Sequence, residues 1–322
     1  QLTKGLGLFE KLKPAADYAA IARALDDPGE IRPAPPPRPC PPVEARPRRL
    51  SVTEIETWLR DPYAIYAKHV LGLKPLDPLD AEIGPPERGT ILHRALERFV
   101  RTYPAALPGD ATVKLTELID AVFAEEETPK AVIALWRPRF IRAAFWFVEE
   151  ERKRRDGIAE SFVEITGKKV FHAPAGDFVL TGKADRIDRL KAGGGVLVDY
   201  KTGKPPTDSQ VEAMLTPQLP LEGAILSCGG FADVGPLAPA DLIYVRITGG
   251  VPPGEIRPLA ADPAALAAEA AGRLKARIAK FDDPATPYDS RVAPQFAKGE
   301  GDYDHLVRLK EWSASGWGGE ET

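Results

Sequence analysis

The sequence predicts an α/β protein, a mixed β-sheet flanked by helices with a helical preface ahead of it. Three observations carry this. Residues 178–188 and 196–201 are β-rich runs around the short Gly-rich loop Ala192-Gly193-Gly194-Gly195, which reads as an antiparallel hairpin. A further β-rich run, 242–247, lies beyond a helical stretch. Amphipathic helical patterns fill most of the chain before residue 154. The composition agrees: among 322 residues, 43% are hydrophobic and 28% charged, which excludes a disordered or fibrous chain.

In chain order, residues 3–26 read as a helix with Phe9, Leu12, Ala16, Ala20 and Ala24 near one face and a kink at Pro14. Residues 28–47 hold nine prolines in twenty positions, which denies both helix and central strand, so the stretch reads as an extended linker. The chain therefore divides into a helical remnant (1–27), a linker (28–47) and a main domain (48–322). Ser51 followed by Glu54 is a capping-box signature for a helix to about Arg60, and Asp61-Pro62 opens the next. The proline-rich stretch 74–86 reads as loop. Helices are predicted at 89–103, with Leu92, Leu96 and Phe99 on one stripe, at 112–127, and at 131–153, where Trp136, Phe140 and Phe147 read as core. The period then changes: strands at 162–166 and 169–171 precede the hairpin. A helix at 208–227, the strand 242–247, a helix at 263–281 and an irregular tail complete the pattern. No internal repeat is present.

Other function classes fall away. No run of about 18 apolar residues exists to span a membrane. Gln1-Leu2-Thr3-Lys4 does not open a signal peptide, and the first residue is not Met, so the chain reads as a piece of a longer protein. Two cysteines, Cys40 and Cys228, make neither a disulfide framework nor a four-thiolate site, which points to the cytoplasm. Cys228 reads as a small buried apolar residue. A net charge of −4 does not advertise nucleic-acid binding, so DNA contacts need a local patch. Gly193-Gly194-Gly195 lacks the Lys-Ser/Thr ending of a phosphate loop, and no nucleotide site is expected.

One constellation stands above this background: Gly182-Lys183-Ala184-Asp185, then Val196-Leu197-Val198-Asp199-Tyr200-Lys201. Side chains alternate along a strand, so Asp199 and Lys201 share a face, and the hairpin register brings Asp185 opposite or diagonal to them. Buried carboxylates cost several kcal/mol each unless paired or metal-bound. Mg²⁺ favours such carboxylates together with substrate phosphate. Lys201 is then placed to orient or deprotonate an attacking water and to neutralise transition-state charge. Taken alone, Asp-x-Lys on a strand also fits a solvated ion pair on a surface hairpin.

These residues, with Gly89-Thr90-Ile91-Leu92-His93 upstream and Gln218-Leu219-Pro220-Leu221 downstream, resemble the RecB-like branch of the PD-(D/E)xK nucleases. The branch's pattern is a helical Gly-x-x-x-His, a Gly-x-x-Asp strand, a strand ending Asp-Tyr-Lys, and a helix carrying Gln. Asp61-Pro62-Tyr63, Tyr66, Tyr303-Asp304-His305-Leu306 and Glu311-Trp312-Ser313 resemble the C-terminal nuclease region of AddB-type subunits, from about residue 50 onward and in their alphaproteobacterial form. The resemblance implies a restriction-endonuclease-like fold. It implies metal-binding carboxylates at Asp185 and Asp199, a further ligand at His93, the Tyr200 main-chain carbonyl in the metal shell, Lys201 as the catalytic lysine, and Gln218 positioning that lysine or the phosphate. The implied cofactor is Mg²⁺, with Mn²⁺ as a substitute. The implied function is the exonuclease domain of a double-strand-break repair helicase–nuclease, which cuts single-stranded DNA delivered by an AddA-type partner and leaves a 5′-phosphate. The other reading is a catalytically silent nuclease-like scaffold that binds DNA or the helicase.

Two departures stand out. Relatives place Tyr four residues after the Gln, where this chain has Glu222. Some AddB proteins ligate an iron–sulfur cluster through a Cys at the position of Asp61 and three near the C-terminus; here no Cys follows Cys228, and no cluster is expected. His69, His172 and His305 read as structural, Glu97 as an acceptor for the His93 ring or a solvated residue, and Asp188 as a strand-end cap or a partner of Arg189. Arg94, Arg98 and Arg101, Arg137, Arg139 and Arg142, and the run 152–155 read as solvated faces or phosphate contacts.

Overall fold

Alternating apolar residues build a six-stranded mixed sheet flanked by helices, organised by its long strand β3 (Gly176–Leu190). The structure, a computed structural model, describes residues 18–27, 35–76, 84–104, 106–292 and 301–309. The chain separates into two units, Pro37–Val307 and a second one made of Gln1–Pro36 with Arg308–Thr322. Within the second unit the described helix is α1 (Tyr18–Asp26); the rest of the expected 3–26 helix lies outside the described residues. So do residues 28–34 of the proline-rich stretch and Glu311-Trp312-Ser313 of the tail.

In the larger unit, β2 (Ile158–Ala173) pairs antiparallel with β3 along its whole length. On its other edge β3 changes partner. It runs parallel to β1 (Arg49–Ser51) at Val179–Thr181, and antiparallel to β4 (Gly195–Lys201) at Arg186–Arg189. Residues 182–185 lie between the two partners, so the sheet is notched there. β4 pairs in parallel with β5 (Pro239–Ile247), and β6 (Gly254–Pro258) closes the far edge antiparallel.

Two hydrophobic cores cover the two faces. On one, α2 (Val52–Arg60), α8 (Gln218–Ser227) and α9 (Pro263–Phe281) bury Trp58, Leu219, Ile225 and Phe281 with Leu180, Ile187, Leu197 and Tyr244 of the sheet. On the other, α4 (Pro85–Thr102), α5 (Ala111–Glu125) and α6 (Lys130–Arg154) bury Leu96, Phe99, Leu115, Phe140 and Phe147 with Val196, Val198 and Tyr200. Strand β4 is thus buried on both sides, as its near-continuous apolar run requires. The Ser51–Glu54 capping box forms: Glu54 N–H donates to Ser51 Oγ (3.2 Å), and Ser51 N–H donates to Glu54 Oε2 (2.9 Å). Such a cap is worth about 1 kcal/mol. The short α3 (Pro62–Ile65) follows.

Several sequence expectations change. The strands at 162–166 and 169–171 are one strand, because Gly167 does not break it: Gly167 pairs with Gly182, and the bare surface is covered by Phe231 and Ile225. A Cβ at Gly182 would meet Ile225 Cδ1 at 3.0 Å, so this glycine lets α8 approach the sheet. The helix at 208–227 divides into α7 (Asp208–Glu212) and α8; Met214 takes a left-handed φ of 59°, and Pro217 cannot donate to a continuous helix. The periodicity missed β1 and β6, which have three and five residues. Cys228 is exposed rather than buried, because it follows the last turn of α8. Residues 37–47 belong to the larger unit: buried Arg46 donates to the carbonyls of Pro41, Phe281, Asp283 and Pro284, and Tyr288 N–H to Pro39 O. The tail returns to the first helices, where Arg291 N–H donates to Asp61 Oδ1 and Tyr303 to Leu73 O.

Behind the notch lies a buried ionic cluster. Arg186, fully buried, donates to Glu151 Oε1 (2.7 Å) and Asp188 Oδ1 (2.6 Å), and Asp188 also accepts from Arg154 and Ser161. Asp188 therefore pairs with Arg186 and Arg154, while Arg189 turns to Glu160 and the Val234 carbonyl. The charge run 149–156 is not uniformly solvated, since Glu151 faces inward from α6. Glu151→Ala leaves a buried guanidinium half-paired and is expected to cost about 3–5 kcal/mol, read as a lower urea midpoint at unchanged m-value.

Candidate functional site

The functional side chains gather at the notch. The pairing of β3 with β4 stops at Arg186–Val198, and the next residue of β3 is Asp185. Its Oδ2 accepts the Tyr200 N–H at 2.9 Å, so a side chain satisfies a backbone donor where the ladder ends. His93, from α4, brings Nδ1 to 3.5 Å from the same oxygen, and its ring meets the buried Tyr200 ring edge to face. Between the pairs Val163–Arg186 and Ile165–Ala184, Glu164 of β2 stands opposite Asp185. Its backbone takes φ 55°, a conformation that non-glycine residues rarely adopt inside a strand. Ligand atoms of His93, Glu164 and Asp185 lie within 4.8 Å of one another.

Asp199 and Lys201 alternate with Tyr200 and project to the other face. Lys201 Nζ lies 2.9 Å from Asp199 Oδ1 and 2.8 Å from Oδ2. Gln218, at the start of α8, donates through Nε2 to Asp199 Oδ1 (2.7 Å) and Glu222 Oε1 (3.3 Å), and its Oε1 accepts from Lys201 (3.4 Å). The alternation that separates Tyr200 from its neighbours thus gives the site two halves. The sequence-predicted His93 and Asp185 meet, and Asp199, Lys201 and Gln218 meet. Asp199 stands outside the His93–Glu164–Asp185 group. Glu164 was missed by sequence reading; its signal, an acid directly after Val163 on the strand paired with Gly-x-x-Asp, depends on knowing the hairpin register. Glu222 holds the position expected for Tyr and is buried against Gln218.

A cavity of about 560 Å³ opens onto His93, Glu164, Asp185 and Lys201, with Gly89, Thr90 and Lys183 also in its wall. Glu97 also lines it but pairs with Arg101, not with the imidazole. Arg94, Arg98, Arg137 and Arg152 through Arg155 pair with acidic neighbours, and Arg142 donates to the Gly249 carbonyl.

The electrostatics are those of crowded acids. Burial and the nearby Asp199 charge push Asp185 up to about 6, against the opposing pull of His93, the Tyr200 N–H and Lys201. Burial, then Asp199 and Asp185, hold Glu222 well above the usual carboxylate range. Burial alone would lower the Lys201 ammonium, but the charge and hydrogen bond of Asp199 outweigh it and raise it. Lys201 is therefore an ammonium suited to donating hydrogen bonds, not an amine ready to take a proton from water. Burial pushes the Tyr200 phenol up to about 12.

A divalent cation fits this donor set. An imidazole nitrogen and two carboxylate oxygens are spaced as ligands about 2.0–2.6 Å from a common centre would be. Asp199 Oδ2, although beside the ammonium, is buried without an aligned hydrogen bond.

Residues 49–292 match the sequence model of the PD-(D/E)XK nuclease superfamily. An uncharacterized protein of Rickettsia conorii is 30% identical over 196 residues, 60% of this chain and 23% of that protein. An ATP-dependent helicase/deoxyribonuclease subunit from Acetivibrio thermocellus is 26% identical over 223 residues, 61% of this chain and 19% of the relative. The protein of the same description from Clostridium acetobutylicum is 26% identical over 186 residues, 48% of this chain and 15% of the relative. The chain spans about a quarter or less of the length of these relatives.

The raised Asp185 carboxyl makes the site costly in the absence of a cation. A carboxyl with a folded-state pKa above its unfolded value of 3.8 costs nothing below pH 3.8, progressively more between pH 3.8 and 6, and its full amount above pH 6. Asp185→Asn should therefore stabilise the metal-free chain at pH 7.5 by on the order of 1–3 kcal/mol and have little effect at pH 3.5. Thermal melts at the two pH values check this.

Proposed function

The chain belongs to the PD-(D/E)XK nuclease superfamily, and on that footing we propose that it hydrolyses DNA phosphodiester bonds with a divalent cation, Mg²⁺ in the cell and Mn²⁺ as a substitute. The observation that carries the proposal is the meeting of His93, Glu164 and Asp185 within 4.8 Å beside the Asp199–Lys201 pair. In this reading Asp185, His93 and Glu164 hold the cation, with Asp199 and the Tyr200 main-chain carbonyl completing its shell. When bound, the cation supplies Lewis acidity at the scissile phosphate.

The chain's own residues do the rest. The Lys201 ammonium donates to a non-bridging phosphate oxygen and stabilises the charge that builds up there. Gln218 fixes Lys201 through its carbonyl and Asp199 through its amide, so the lysine at the cavity wall is held by its two neighbours. Glu222 takes the second amide hydrogen of Gln218 and so sets which way the carboxamide faces. The presence of both acids and the lysine supports a cutting enzyme over a silent scaffold.

The relatives described as helicase/deoxyribonuclease subunits support a finer reading. The chain would be the exonuclease part of a cytoplasmic double-strand-break repair machine, with the start of the proline-rich stretch a connector that leads into the nuclease domain. An AddA-type helicase would feed it single-stranded DNA. Sequence specificity would be low, since no sequence pattern suggests a base-reading helix.

The test is Mg²⁺-dependent cleavage of a single-stranded oligonucleotide, abolished by EDTA. Lys201→Ala should lower the rate by about 10²–10³-fold or more while Mn²⁺ affinity, measured by titration calorimetry, is retained or raised, since the ammonium beside Asp199 is gone. Asp185→Ala should lose both. Equal loss of Mn²⁺ affinity in the lysine variant would contradict these roles.

A further inference from the structure

Among the described residues, three cationic side chains line the cavity: Arg94, Lys183 and Lys201. Arg94 pairs with Glu126, outside the site, and Lys201 pairs with Asp199. Lys183 differs, because its partner is Glu164, one of the three residues whose ligand atoms converge. The pairing follows from the strands. Lys183 precedes Asp185 by two residues and so shares its face of β3; Thr166 is its opposite number on β2, which makes Glu164 its diagonal neighbour. The carboxylate is half-buried and the lysine side chain 60% exposed, so the ammonium stands at the solvent side of the pair, in the cavity wall.

Building on the metal-dependent nuclease reading, we infer that Lys183 is an exchangeable phosphate-binding residue: it neutralises Glu164 until a divalent cation takes that carboxylate, and then turns to the backbone phosphate of the incoming strand. The physical argument is competition for one charge. A dication on Glu164 draws off the field that holds the ammonium, and two cations on one carboxylate repel each other. A lysine is a mobile point charge on a flexible stem, so redirecting it distorts nothing else. The exposed pair it leaves is weak, and a phosphate is an equivalent partner. One side chain thereby links metal loading to strand binding, so that the strand is gripped best when the site is loaded.

The test measures binding rather than turnover. Lys183→Gln is made in the Lys201→Ala background, where cleavage does not deplete the strand. Mn²⁺ titration of the chain should show tighter uptake by up to about fivefold, because a competitor for Glu164 is gone. Oligothymidylate binding, measured against salt concentration, should lose about 0.7 from the slope of log K on log [salt] when Mn²⁺ is present, and lose little without it. Unchanged or weaker Mn²⁺ uptake in the variant overturns the inference, as does a salt slope that responds equally with and without Mn²⁺. If the Lys201→Ala chain itself takes up no Mn²⁺, the nuclease reading fails as well. If it binds Mn²⁺ and DNA and Lys183→Gln behaves identically, the inference about Lys183 fails alone.

Discussion

Strand β3 cannot keep one neighbour along its whole edge: β1 pairs with it at Val179–Thr181, and β4 only from Arg186 onward. That change of partner leaves residues 182–185 without a ladder on one side, and the site is what the fold does with the gap. A sheet notch strands backbone donors that must be satisfied. Asp185 satisfies one of them, the Tyr200 N–H, and in doing so brings its carboxylate between the last residues of β4 and the helix that carries His93. Asp199 and Lys201 alternate with Tyr200 and so pair on the other face, where Lys201 still reaches the wall of the cavity. The chemistry depends on this backbone geometry more than on any single contact.

The surroundings hold the notch open and rigid. On one face, Arg186 locks Glu151 of α6 to Asp188 and lies 3.4 Å from the Tyr200 hydroxyl, so the residues next to the two aspartates are fastened into a buried ionic cluster. On the other face, Gly182 lets α8 settle close enough for Gln218 to reach Asp199 and Lys201. Glu222 extends this chain of hydrogen bonds. Its carboxyl is held well above the usual carboxylate range by burial and then by the two aspartates. The result is an excess of carboxylates over cations, which disfavours the empty site and favours one that holds a dication.

Much of this was legible in the amino-acid order. The run Val196-Leu197-Val198 ending in Asp-Tyr-Lys could be read because a strand buried on both faces is continuously apolar, and charges at its end then stand out. The capping box at Ser51 and the helix from Pro263 were equally local signals. What escaped was tertiary. Glu164 belongs to the site through the register of the β2–β3 hairpin and a left-handed backbone that no sequence pattern announces. Glu151 sits in a charge run like its neighbours, and its burial follows from which side of α6 meets the sheet. The runs at 162–166 and 169–171 join into one strand through Gly167, whose partner Gly182 and covering ring of Phe231 come from later in the chain. The break before α8 required knowing that Met214 turns left-handed ahead of Pro217.

The most direct measurement is anomalous diffraction from a crystal of this chain soaked in Mn²⁺. The account predicts one strong peak at the β3–β4 notch, coordinated by Asp185 and His93 and within reach of Glu164 and Asp199. A peak elsewhere in the molecule, or a well-ordered notch with no bound cation at saturating Mn²⁺, would contradict it.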